Sequence, residues 1–316
     1  MININDPSVS YVQPVYPAVK RVYWNLGNIC PYSCSYCPKE YNSGSVPFHN
    51  VNIVLSTLHK LDECVVTFGG GEPTYHPDFE RIINEKPKHI KIGISSNLAR
   101  PYAFWERIVD KILLVMSTYH IEFTNMERFI PTAELIYLKY KRQGQVTIVM
   151  LPDRWDDCVK AYETLVEHKL PVSAKPVLNT IDPTESDSID VISDYTKEQL
   201  DWITKHNDGD GPKFMGVYSN TGELLEKVSG WGLLSSKQSF KGWLCYTPMQ
   251  YLCINKFQEV FDQSCNQRSK IGTLTEGFTI PTEPSICRQS ACWCMSDIIQ
   301  KKEKITNVLT ENSISE

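Results

Sequence analysis

The chain has 316 residues, 41% hydrophobic and 22% charged, which supports a full buried core and excludes general disorder. Lys plus Arg total 32 against 37 Asp plus Glu, a net charge of −5, so no surface for a long nucleic acid is expected. No apolar run approaches the ~20 residues of a membrane-spanning helix, and the opening MININDPSVS lacks the layout of a signal peptide, so no membrane partner and a cytoplasmic location are expected.

Short, near-continuous apolar runs at 21–27, 64–70, 90–96, 111–118, 145–151 and 172–178 read as buried parallel strands. Between them, apolar residues at helical spacing predict helices over 50–61, 101–109, 125–142 and 155–169, with a shorter one at 77–84. A sixth helix is expected near 196–207. This alternation predicts an α/β fold of βαβ units: a partial (β/α)6 TIM-like barrel, or an open parallel sheet. Either binds ligands at the carboxyl ends of its strands. The acidic stretch 180–193 reads as a solvated loop, with a lid over the site as the alternative reading. NDGDGP at 207–212 is a linker signal, and it divides the chain into 1–208 and 209–316. Past it, hairpins are expected around 220–222 and over 250–265, giving a small α+β unit. The tail after 301 reads as a short polar helix or a frayed end.

Eleven cysteines stand out in a chain of this kind. In a reducing compartment they point to metal or redox chemistry rather than to disulfides. Cys64 and Cys158 are isolated and read as small buried hydrophobes. Cys30, Cys34 and Cys37 form C-x3-C-x2-C directly after the first strand, so three thiolates can converge on one centre. Zinc would ask for a fourth ligand close by. A four-iron cluster on three cysteines keeps one iron free for a chelating small molecule.

That spacing, with Tyr36 before the last cysteine, resembles the signature loop of radical S-adenosylmethionine (SAM) enzymes. Gly70, Gly71, Glu72 and Pro73 close the second strand and resemble the family's GGEP motif. Ser95, Ser96 and Asn97 end the third strand, where the family contacts the ribose and carboxylate of SAM. Residues 146–152 resemble the strand that packs on the adenine. The resemblance spans about residues 20–208. It implies a SAM-binding 4Fe-4S cluster on Cys30, Cys34 and Cys37. It further implies that Glu72 accepts a hydrogen bond from the methionine amine, and that Gly70 and Gly71 allow close backbone approach to the ligand.

The last quarter of the chain resembles the twitch or SPASM extension of the same superfamily. Its marks are Trp243–Leu244–Cys245, a strand–turn–strand ending at Cys265, then Ile271–Gly272. The resemblance implies one auxiliary 4Fe-4S cluster. Cys245 and Cys265 are its expected ligands, completed from Cys287, Cys292 and Cys294. Cys253, inside an apolar strand, reads as core. A zinc staple is the competing reading of this set.

Tyr119 and His120 follow the fourth strand, and His120 is placed to bind substrate or relay a proton. Arg154, after the fifth strand, is a candidate for a SAM or substrate carboxylate. Lys175, on the sixth strand, is a candidate ligand contact. His49, His59 and His89 read as surface residues. The expected function is reductive cleavage of SAM to a 5′-deoxyadenosyl radical that takes a hydrogen from a small metabolite, modified nucleotide or peptide. The electron would come from a donor such as flavodoxin or ferredoxin. Only about 20 residues precede the first strand, which tilts the expectation away from leader-dependent peptides unless a separate protein binds the leader. A non-catalytic iron–sulfur or zinc scaffold is the alternative from another class.

Overall fold

The computed structural model of the chain describes residues 3–15, 19–179, 191–192, 194–207, 214–236, 238–292 and 294–305. Its first strands are β1 (Tyr11–Pro14), β2 (Arg21–Asn25), β3 (Cys64–Gly69), β4 (Ile90–Ser96), β5 (Leu114–Tyr119), β6 (Gln143–Met150) and β7 (Val172–Pro176). They are followed by β8 (Phe214–Tyr218), β9 (Leu224–Ser229), β10 (Leu244–Cys245), β11 (Tyr251–Ile254) and β12 (Glu259–Phe261). The last are β13 (Lys270–Thr273), β14 (Gly277–Phe278), β15 (Ser285–Ile286) and β16 (Lys302–Glu303).

The six predicted parallel strands are β2 to β7, and they pair in sequence order. The strand order is β14-β13-β12-β11-β2-β3-β4-β5-β6-β7, so the sheet stays open and forms a partial barrel. Helices cross between its strands. Asn50 caps Val51–Lys60 by accepting from Asn52 N, and a Thr196/Gln199 capping box starts Lys197–His206. The core side of the strands carries Val22, Trp24, Val66, Phe68, Ile92 and Ile94, all buried. Each such side chain contributes about 1.5–3 kcal/mol when fully buried. Cys64 and Cys158 are part of this core.

Four features depart from the pattern read in the sequence. The expected helix 125–142 is an α-helix only over Met126–Glu134, with Pro131 inside it, and continues as a π-turn over Leu135–Lys139. β11 adds to the barrel sheet parallel to β2, so the hairpin expected at 250–265 is part of the same sheet. In the other direction, β1 joins the second sheet, ordered β15-β10-β16-β1-β8-β9. His49 is buried, not on the surface: Trp24 Nε1 donates to its Nδ1 at 2.9 Å, and its Nε2 meets the Lys256 carbonyl at 3.1 Å. It thereby ties the barrel to the β11–β12 turn. The expected junction at 208/209, most of the loop 180–193 and most of the tail after 301 lie outside the described residues.

Candidate active site

A cavity of about 670 Å³ opens at the carboxyl ends of the parallel strands. Cys30, Cys34 and Cys37 line it from the loop after β2. Gly70 and Gly71 line it after β3, Ser95, Ser96 and Asn97 at the end of β4, and Thr118 and His120 at the end of β5. The three cysteine thiols are free and lie within electrostatic reach of one another. Burial pushes the Cys30 thiol up to about 11 and the Cys34 thiol up to about 12, and raises Cys37 as well. Such thiols ionise only with a cation beside them. Among the described residues no three His, Cys, Asp or Glu side chains gather at the spacing of a single ion. A multi-iron cluster spreads its cysteines over several metal atoms, and the donor set fits it: three soft thiol ligands from one loop, lining one cavity.

The glycines have a second reason to be there. Gly70 and Gly71 hold φ of +78 and +49, in the left-handed region. A Cβ on Gly71 would meet Ile29 O at 2.3 Å, and one on Gly70 would meet Gly27 O at 2.6 Å. The turn therefore packs backbone to backbone against the segment leading into Cys30, and Glu72 N donates to Ile29 O at 2.8 Å.

Glu72 sits differently from the expectation of an amine contact. It is fully buried and does not line the cavity. Its Oε1 accepts from Thr74 N at 3.1 Å, Thr74 Oγ1 at 2.6 Å and Ser96 Oγ at 2.9 Å; Oε2 accepts from Asn97 N at 2.6 Å. Burial raises its pKa, opposed by these donors. The carboxylate thus fastens the ends of β3 and β4 together. Pro73 is buried at the start of the turn Pro73–Tyr75. Past Asn97 the chain bends through Leu98 at φ +53, a conformation costing a leucine about 1–2 kcal/mol. The bend leaves Asn97 Nδ2 3.7 Å from Cys30 Sγ.

His120 belongs to the cysteine loop. Its Nδ1 lies 2.6 Å from Tyr36 Oη and 3.2 Å from Cys34 Sγ, and the Tyr36 ring stacks on it. Burial pulls its pKa down to about 4, so the ring is held neutral. Nearby, Ser35 N donates to Glu122 and Tyr32 stacks on Phe123. Arg154 lies elsewhere: its guanidinium pairs with Asp157 at 2.7 Å and does not line the cavity. Lys175 is half-buried on β7 and is also outside the lining.

The opposite wall comes from β2 and the C-terminal hairpin. Tyr23 and Asn25 on β2, and Tyr251 and Cys253 on β11, face the cavity. Their alternating neighbours Trp24, Leu252 and Ile254 face the core. Cys253 was expected to be core. The period of two puts it on the cavity side once β11 pairs with β2. Lys256, Arg268 and Cys294 complete this wall. Alternation along the two strands was the available signal for these residues.

The other C-terminal thiols gather behind it. Cys245 on β10 pairs in register with Ser285 and with Lys302, and Cys287 N donates to Trp243 O. Cys245, Cys265, Cys287 and Cys292 share Asp297 or one another as electrostatic neighbours. Burial raises the thiols of Cys265, Cys287 and Cys292, and lifts Asp297 to about 6. Cys294 is shared between this group and the cavity.

A family model described as "Radical SAM superfamily" matches residues 24–188. No curated protein matches the sequence. Among solved structures, native anSMEcpe with bound AdoMet is similar at TM-score 0.50 and 17% identity, over 82% of this chain and 78% of that one. SuiB of Streptococcus suis bound to the precursor peptide SuiA is similar at TM-score 0.50 and 13% identity, over 81% and 62%. At these identities the likeness concerns the fold, while the family match covers more than half the chain and every strand from β3 to β7. The chain belongs to the radical SAM superfamily, enzymes built around a four-iron cluster and SAM.

Proposed function

We propose that Cys30, Cys34 and Cys37 hold the SAM-cleaving cluster and that a small polar substrate sits across the cavity from it, where it loses a hydrogen atom. One observation carries this reading: the three thiols, the glycine turn and Asn97 line one cavity at the carboxyl ends of the parallel strands. Cys30, Cys34 and Cys37 would hold the cluster, which when reduced would supply the one electron that cleaves SAM to methionine and a 5′-deoxyadenosyl radical. The chain's residues bind and orient. Gly70 and Gly71 offer backbone to the ligand, and Ser95 and Asn97 offer polar groups to its ribose and carboxylate. Glu72 fixes the corner that carries Asn97. His120 and Tyr36 are positioning residues that hold the Cys34 loop. A one-electron donor such as flavodoxin or ferredoxin fits the reductant.

Lys256 and Arg268, with Glu40 at the rim, give the substrate wall a net positive charge. That suits a substrate bearing carboxylate or phosphate. A peptide is the second reading. It is favoured by Phe257, 62% exposed at the cavity mouth, and by the precursor peptide bound to SuiB. Behind the wall, Cys245, Cys265, Cys287 and Cys292 hold an auxiliary 4Fe-4S cluster within a twitch-like unit over about 209–316, with Cys294 at its cavity edge. The test is anaerobic reconstitution, reduction with dithionite and addition of SAM. The reading expects 5′-deoxyadenosine; its absence from cluster-loaded protein contradicts it.

A further inference from the structure

Lys302 is 1% exposed, a rare state for a lysine. It stands on β16, between Val12 of β1 and Cys245 of β10. Its neighbours in sequence behave ordinarily: Lys301 and Glu303 pair with each other at 2.7 Å near the surface. Lys302 instead points inward. Its Nζ donates to the backbone carbonyls of Asp297 and Gln300. Among the described residues no carboxylate pairs with it. The buried carboxylate of Asp297 lies beyond ion-pair distance but within electrostatic reach, and alone it leaves the buried ammonium only partly compensated, which is unfavourable. The groups whose charges reach it are Cys245, Cys292, Asp297 and Cys287. As neutral thiols the three cysteines give it little. As metal-bound thiolates they surround it with negative charge, because four thiolates outweigh the charge of a four-iron core.

We infer that Lys302 is the built-in counter-cation of an anionic metal–thiolate centre on Cys245, Cys287 and Cys292, and that it sets how readily that centre accepts an electron. The inference rests on the auxiliary-cluster reading above and adds a role that reading does not contain. A fixed positive charge in a low-dielectric shell favours the reduced, more negative state of the centre. Removing it makes the centre harder to reduce, whereas the cluster on the Cys30 loop, whose thiols do not have Lys302 among their electrostatic neighbours, is untouched.

The experiment is an electron-paramagnetic-resonance redox titration of the reconstituted full chain, with iron counted per chain, for the wild type, Lys302→Met and Lys302→Arg. The wild type should hold about eight irons, from two four-iron clusters. In Lys302→Met the midpoint of the C-terminal cluster should fall by about 59 mV or more, a tenfold shift in a one-electron equilibrium. Lys302→Arg should restore most of it, and the N-terminal midpoint should not move. A C-terminal midpoint unchanged in Lys302→Met, at full iron content, overturns the inference and leaves the auxiliary cluster standing. A wild type with only about four irons removes the auxiliary cluster and the inference with it. If Lys302→Met loses the C-terminal iron, Lys302→Arg decides. Iron retained there supports the charge role, and iron lost equally assigns Lys302 to packing and overturns it.

Discussion

The two groups of cysteines are built in opposite ways. Cys30, Cys34 and Cys37 fall within eight residues of one loop, so any fold that presents the loop brings them together. Cys245, Cys265 and the pair Cys287 and Cys292 come from three segments spread over nearly 50 residues, and they become electrostatic neighbours through a fold in which β10 pairs with β15 and β16. The first site is a local property of the chain; the second is a property of its tertiary structure. Each proposed site should therefore survive loss of the other.

The largest expected effect comes from breaking the local site. Cys34→Ala should abolish 5′-deoxyadenosine formation while the C-terminal iron stays, as followed by product chromatography and iron content. Next is the dispersed site. The double variant Cys245→Ala/Cys265→Ala should lower iron from about eight to about four per chain and still cleave SAM. Circular dichroism checks that its C-terminal unit stays folded. A smaller effect is expected at Glu72. Glu72→Gln turns an acceptor toward buried donors with an amide that cannot accept at both ends. Denaturant unfolding should show a loss of about 1–3 kcal/mol, with weaker SAM binding as Asn97 shifts. The smallest is Arg154→Ala, which removes an exposed ion pair worth about 0–1 kcal/mol and no cavity group. Unchanged SAM affinity in that variant would separate Arg154 from the site.

The comparison also explains what was readable in the sequence. The parallel strands, their order and the cysteine loop with its glycine turn follow from local patterns. Apolar runs and close spacing survive whatever the rest of the chain does. The insertion of β11 beside β2 was not readable, because it joins residues more than 220 apart. Cys253, Tyr251 and Arg268 therefore surfaced only with the fold. His49 was misplaced because a lone polar residue in a helix-start segment gives no hint of a buried tryptophan partner. Glu72 was placed on the ligand for its charge, while its own neighbours Thr74, Ser96 and Asn97 supply its hydrogen bonds. Lys302 gave no signal, since its burial depends on strands formed by residues 11–14 and 244–245.

The most direct test of two independent centres is spectroscopic. The reduced wild type and the triple variant Cys30→Ala/Cys34→Ala/Cys37→Ala are compared by electron paramagnetic resonance with and without SAM. The wild type should show two cluster signals, only one of which shifts when SAM is added. The triple variant should keep the other signal and respond to SAM not at all. A wild type whose single signal vanishes in the triple variant, or a signal in that variant that still shifts with SAM, would contradict the account.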